Sequence, residues 1–127
     1  MKNMNKKEIK KKYKQTVQPM GIFQVTNLKS GKSLIGSAKN INGRINRIKF
    51  QLKNGLYPDK EMQKDYKEGG EDGFTFEVLD YLSPKEDSNY DYSDELKILE
   101  DMWLEKVQPY GDKGYNKEKK TIIVQIE

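Results

Sequence analysis

The sequence predicts one α+β domain, a small antiparallel sheet of three strands flanked by helices. Three observations predict it. The stretch Met20 to Lys53 runs as strand, tight turn, strand and amphipathic helix. Phe74 to Leu82 is a single β-rich run set between helical patterns. A chain of 127 residues is one domain by length, with room for a modest core of two layers, helix on sheet.

Each element has its own signal. Gly21 to Asn27 (GIFQVTN) alternates and is rich in β-formers. Lys29-Ser30-Gly31-Lys32 supplies the turn, and Ser33 to Ser37 returns as the second strand. Gly36 inside that strand predicts the close approach of another backbone or a ligand. Asn40 is a good N-cap for a helix whose apolar stripe is Ile41, Ile45, Ile48 and Leu52, closed by Gly55. Asp59 caps a second helix, Lys60 to Glu68, with Met62 and Tyr66 inward and Gly69-Gly70 at its end. In the third strand Phe74, Phe76, Val78, Asp80 and Leu82 share one face, and Thr75, Glu77, Leu79 and Tyr81 the other. Ser93 is read as the cap of a long helix with Leu96, Leu99, Trp103 and Val107 buried, flanked by Ile98 and Met102 and stopped by Pro109. Pro109 to Asn116 is a Gly-rich loop, and Thr121 to Ile126 is available as a fourth, C-terminal strand. This divides the chain into a basic arm (1–19), the domain proper (20–116) and a C-terminal strand extension (117–127).

Composition removes several chemistries. Cysteine and histidine are both absent. Disulfides, Cys/His zinc sites, thiol nucleophiles and Ser-His-Asp triads are thereby excluded. Catalysis is left to carboxylates, Tyr, Lys, Arg or an oxygen-bound metal. The lack of cysteine fits a cytoplasmic protein. No apolar run is long enough to span a membrane, and the basic N-terminus has no apolar stretch after it, so no membrane or secretory role is expected.

The net charge of +4 hides an asymmetry. Residues 1–54 carry 14 Lys and Arg against one acid, Glu8, whereas residues 55–116 carry 7 against 17 Asp and Glu. Such a basic half is the electrostatic footprint of a polyanion partner. The candidate phosphate contacts are Lys32, Lys39, Arg44, Arg47, Lys49 and Lys53, with the lysines of the arm adding affinity without sequence readout.

The order β-β-α-α-β-α, with these local sequences, resembles the GIY-YIG endonuclease family. Gly21-Ile22-Phe23 stands at the GIY motif, and Leu34-Ile35-Gly36 at YIG. Ser37-Ala38 and Asn40 follow as in the phage homing endonucleases. Arg44 falls on the family's catalytic arginine, Glu100 on its metal-binding glutamate, and Gly114-Tyr115-Asn116 on its closing GYN. The resemblance covers about residues 20–116. It implies cleavage of a nucleic-acid phosphodiester, DNA in the first instance, with a Mg²⁺ or Mn²⁺ ion. Glu100 would bind the metal, Arg44 would neutralise charge on the phosphate, and Asn116 would organise the site.

The two tyrosines that give the family its name are replaced by Phe23 and Leu34, which carry no hydroxyl to accept or relay a proton. Ile48 stands where several members carry His or Tyr. Tyr57 lies near where some homing endonucleases carry a catalytic His, and is a candidate substitute phenol; Tyr115 is read as structural. Three functions follow: a nuclease with a weakened or rewired site, a non-catalytic nucleic-acid binder that reuses the fold, and a protein-interaction module. The last would use the acidic 83–105 region or the TIIVQI strand for a partner or a homodimer.

Overall fold

The structure is a computed structural model and describes residues 18–87 and 89–118. The lysines of the arm and the expected strand Thr121 to Ile126 lie outside the described residues. The elements follow in the expected order: β1 (Met20–Asn27), β2 (Ser33–Ala38), α1 (Ile41–Lys53), α2 (Lys60–Gly69), β3 (Phe74–Leu82) and α3 (Ser93–Val107). Two short 3₁₀ turns, Glu71–Gly73 and Gly111–Lys113, are also formed among the described residues.

β1 is the central strand of a three-stranded antiparallel sheet ordered β2-β1-β3. Its register sets Phe23 opposite Gly36 and Val25 opposite Leu34 on one face, and Ile22 opposite Ser37 on the other. Phe23, Val25, Phe76 and Val78 pack with Ile41, Ile48 and Leu52 of α1 and Met62 of α2. Ile22, Ile35 and Leu79 pack with Leu99, Trp103, Leu104 and Val107 of α3. The sheet is thus covered on both faces, giving three layers where two were expected. The cause lies in β1, whose consecutive buried residues Met20 to Phe23 give it a run that is apolar on both sides. Fully burying a side chain such as Ile22 or Phe23 is worth about 1.5–3 kcal/mol relative to exposure.

β3 departs from strict alternation. Ile22 pairs with Asp80 and Phe23 with Val78, so Leu79 is an extra residue, a β-bulge. The bulge turns Leu79 and Asp80 toward α3, where the Trp103 indole N–H donates to Asp80 Oδ2 at 3.1 Å. Asp80 therefore does not share the face of Phe74, Phe76 and Val78, contrary to the expectation from period two. Beside the bulge the backbones crowd: a Cβ on Gly21, whose φ is +153°, would lie 2.0 Å from the Asp80 carbonyl oxygen. The first motif glycine is thus required by the bulge.

The helix ends follow local chemistry. Asn40 Oδ1 accepts from the Gly43 N–H at 3.0 Å, and Asp59 Oδ1 accepts from the N–H groups of Glu61 and Met62. Gly55 takes φ +74° just after α1. Ser93 is not the cap of α3. It is the first helical residue, and its N–H is held by Asp91 Oδ1 at 2.9 Å. In α3, Leu96 and Leu104 are the buried positions, and Leu99, Trp103 and Val107 are half-buried. Among the described residues, no helix is long and apolar enough to cross a membrane.

Candidate functional site

A cleft of about 1070 Å³ opens beside β2, between α1, the Tyr57–Glu61 segment, α3 and the closing loop. Residues far apart in sequence meet there. The lining includes Arg44, Arg47 and Ile48 from α1, Tyr57 from the following loop, Glu100 from α3 and Asn116 from the closing loop. Phe23 and Leu34, at the two motif positions without hydroxyls, line the same cleft.

Gly36 gives this wall its shape. A Cβ there would fall 2.7 Å from Cζ of Phe23, so the ring lies directly over the glycine. Phe23 is at the same time a buried core residue, and its ring fills the wall without a hydroxyl. Leu34 is half-buried beside it, and Ile48 is buried. The wall nearest β1 is apolar.

Three carboxylates line the cleft, and their surroundings differ. Asp59 is engaged in capping α2, and Glu61 is ion-paired with Lys32. Glu100 accepts from the Ser37 hydroxyl, Oγ to Oε1, at 2.9 Å. Ser37 is the residue that follows the second motif, and its hold on Glu100 is a contact that sequence reasoning missed. No periodicity signals it, since the two are 63 residues apart.

Among the described residues, no group of three or more Asp, Glu, His or Cys converges as a metal cluster. Glu100 alone still suits a hard, oxygen-ligated cation of the Mg²⁺ type, which takes one or two carboxylates and completes its shell with water and substrate phosphate.

Tyr57 is half-buried, and its backbone N–H is held by Gln63 Oε1 at 2.9 Å. Burial raises its phenol above the ordinary value, the Asp59 carboxylate raises it further, and Arg44 pulls it down. It is therefore a protonated phenol at neutral pH, suited to donating a hydrogen bond and poorly suited to being a base.

Asn116 is spent on the fold of the site. Its Oδ1 accepts from the Ile35 N–H at 2.8 Å, and its Nδ2 donates to the Ile35 carbonyl at 2.9 Å. The side chain thus pairs with the edge of β2 as another strand would, supported by the Tyr115 N–H donating to the Ser33 carbonyl at 2.8 Å.

The six candidate phosphate contacts are not brought together. Arg44 and Arg47 line the cleft, both exposed. Lys49 and Lys53 line a second groove, against β3. Lys32 is tied to Glu61, and the Lys39 ammonium lies 4.0 Å from Asp91 on the surface.

No protein-family model and no curated protein matches the chain. Among solved structures it is similar to the catalytic domain of the intron endonuclease I-TevI in a mutant form, at 22% identity and a TM-score of 0.63, covering 78% of this chain and 93% of that one. It is similar also to the catalytic domain of the homing endonuclease I-TevI, at 23% identity and a TM-score of 0.61, covering 76% and 96%. The three antiparallel strands and three helices of the described residues therefore share the fold of these endonuclease catalytic domains, a GIY-YIG-like fold.

Proposed function

We propose that the cleft seats a backbone phosphate of nucleic acid, DNA in the first instance, and that the chain cleaves the phosphodiester slowly with a divalent cation. The observation that carries this reading is that Arg44, Tyr57 and Glu100, from three separate elements, line one cleft. The fold shared with an endonuclease catalytic domain supports it.

Each residue has a distinct part. Arg44 and Arg47 bring positive charge to the phosphate, and the guanidinium fork of Arg44 matches two of its oxygens. Glu100, steadied by Ser37, would hold Mg²⁺ or Mn²⁺, an ion that supplies Lewis-acid polarisation of the phosphate when bound. The Tyr57 phenol, protonated at neutral pH as an ordinary phenol is, donates a hydrogen bond to water or to a phosphate oxygen, and burial makes it a poorer base still. Phe23 and Leu34 exclude water on the β1 side and move no proton. Loss of a general base costs about 10²–10⁴-fold in rate, so slow turnover is expected.

A plasmid-nicking assay with Mg²⁺ or Mn²⁺ tests the proposal. Slow nicking that Glu100→Ala abolishes is the expected result, and nicking that survives this substitution unchanged overturns the mechanism. The apolar wall of Phe23 and Leu34 favours a second reading, a nucleic-acid binder without catalysis. That reading holds if wild type binds without nicking and the paired change Phe23→Tyr with Leu34→Tyr is needed before any nicking appears.

A further inference from the structure

α1 carries a second pattern, of which the cleft uses only the first two members. Arg44, Arg47, Phe50 and Lys53 recur every three residues, and the helix holds no acid. Residues three apart are surface neighbours on a helix, so this series winds as one ribbon over the outer side of α1. It starts in the cleft and ends in a groove of about 570 Å³ between α1, α2 and β3.

That groove is aromatic and cationic together. Phe50 and Lys53 stand on its α1 side with Lys49 and Asn46, facing Phe76 and Tyr66. Phe50 is 62% exposed, with the cations Lys49 and Lys53 on the same groove. The Lys49 ammonium lies 5.0 Å from the centre of the Phe76 ring, and the Tyr66 and Phe74 rings pack at 5.4 Å. Among the described residues, Glu71 is the one acid on the lining.

We infer that the groove takes an unpaired nucleobase, stacked on Phe50, from a single strand that leaves the cleft along the outer side of α1. A base offers a π-face to the exposed ring, and its flanking phosphates meet Arg47, Lys49 and Lys53. A duplex offers no free face for this contact, so the groove favours single-stranded nucleic acid. The inference rests on the nucleic-acid reading of the cleft, and the experiment separates the two.

Fluorescence anisotropy of the full chain with an oligothymidylate of about ten nucleotides, a length within the usual site sizes, and with a duplex tests it. Phe50→Ala should weaken single-strand binding by about 5- to 150-fold, the span for one stacked base, and duplex binding by less than about twofold. Phe50→Tyr, which keeps a ring, should keep the affinity. An oligonucleotide carrying 2-aminopurine should be quenched on binding wild type and Phe50→Tyr, and not Phe50→Ala. The inference is overturned if Phe50→Ala changes neither affinity, or lowers both alike. Arg44→Ala reads the cleft separately. If it leaves both affinities unchanged while Phe50→Ala lowers only the single strand, the cleft reading fails and the groove stands. If wild type binds neither nucleic acid, both fail.

Discussion

Tyr115 uses both hydrogen-bonding capacities of its phenol inside the protein. The hydroxyl donates to Asp65 Oδ2 of α2 at 2.7 Å and accepts from Asn27 Nδ2 at the end of β1 at 3.0 Å. Asn27 Oδ1 in turn accepts from the Lys29 N–H in the hairpin turn. One side chain thereby ties the closing loop, the second helix and the hairpin. Its pKa is pushed up from 10.0 to about 12, first by burial, with the Asp65 bond raising it and the Asn27 bond lowering it. Unfolded, the phenol ionises near 10.0; folded, it keeps its proton to about 12. Its contribution to stability is therefore intact below pH 10.0 and is lost as the pH rises toward about 12. Tyr115→Phe leaves the buried Asn27 amide without its partner and should cost about 1–3 kcal/mol at neutral pH. Urea unfolding of both proteins at about pH 7 and at about pH 11 measures this, because the gap should narrow at the higher pH as wild type loses its phenol's share. An equal gap at both values would sink the account. The GYN motif made Tyr115 readable as structural. Its partners were not readable, since they lie 88 and 50 residues away and isolated polar residues leave no periodic trace.

At the scale of elements, β2 is an edge strand whose free side is closed by a side chain. Asn116 pairs with both backbone groups of Ile35, and the Tyr115 N–H takes the Ser33 carbonyl. Asn116→Ala should leave that edge open to water and lower the protection of the Ile35 amide, with a stability loss of about 1–2 kcal/mol for two hydrogen bonds at a partly solvated site. Amide hydrogen exchange followed residue by residue checks it. An Ile35 amide that stays as protected as in wild type would show that the loop backbone, not the side chain, closes the edge. Elements of this kind divide by legibility. The hairpin, the Asn40 and Asp59 caps and the stripe of α1 rest on neighbours in sequence, so pattern alone finds them. The bulge at Leu79 does not, because it depends on the partner strand, and it moved Asp80 to the face of α3. The same holds for the cap of α3, where a serine that reads as a cap is itself held by Asp91. Arg44 and Glu100 were singled out only through the family resemblance, and the cleft does bring them together, whereas the grip of Ser37 on Glu100 needed the register of β2 against α3.

At the scale of the molecule, position in the fold decides which cations are available to a polyanion. The basic first half reads as a footprint for a polyanion, yet the fold sets some of its charges against acids of the second half. Lys32 is paired with Glu61, an ion pair that raises its pKa, and Lys39 faces Asp91. Arg44 and Arg47 stand exposed in the cleft. A cation that neutralises a phosphate releases a condensed counterion, so each true contact steepens the fall of log K with log salt by about 0.9 on a duplex. Arg44→Ala and Arg47→Ala should each reduce that slope by about 0.9, while Lys32→Ala should change it by far less, because Glu61 already offsets its charge. Binding to a duplex measured across a salt series gives the three slopes directly. If Lys32→Ala reduces the slope as much as Arg44→Ala does, binding follows the total charge of the basic half and not the cleft. If the arginines alone reduce it, the phosphate lies in the cleft that Glu100 also lines.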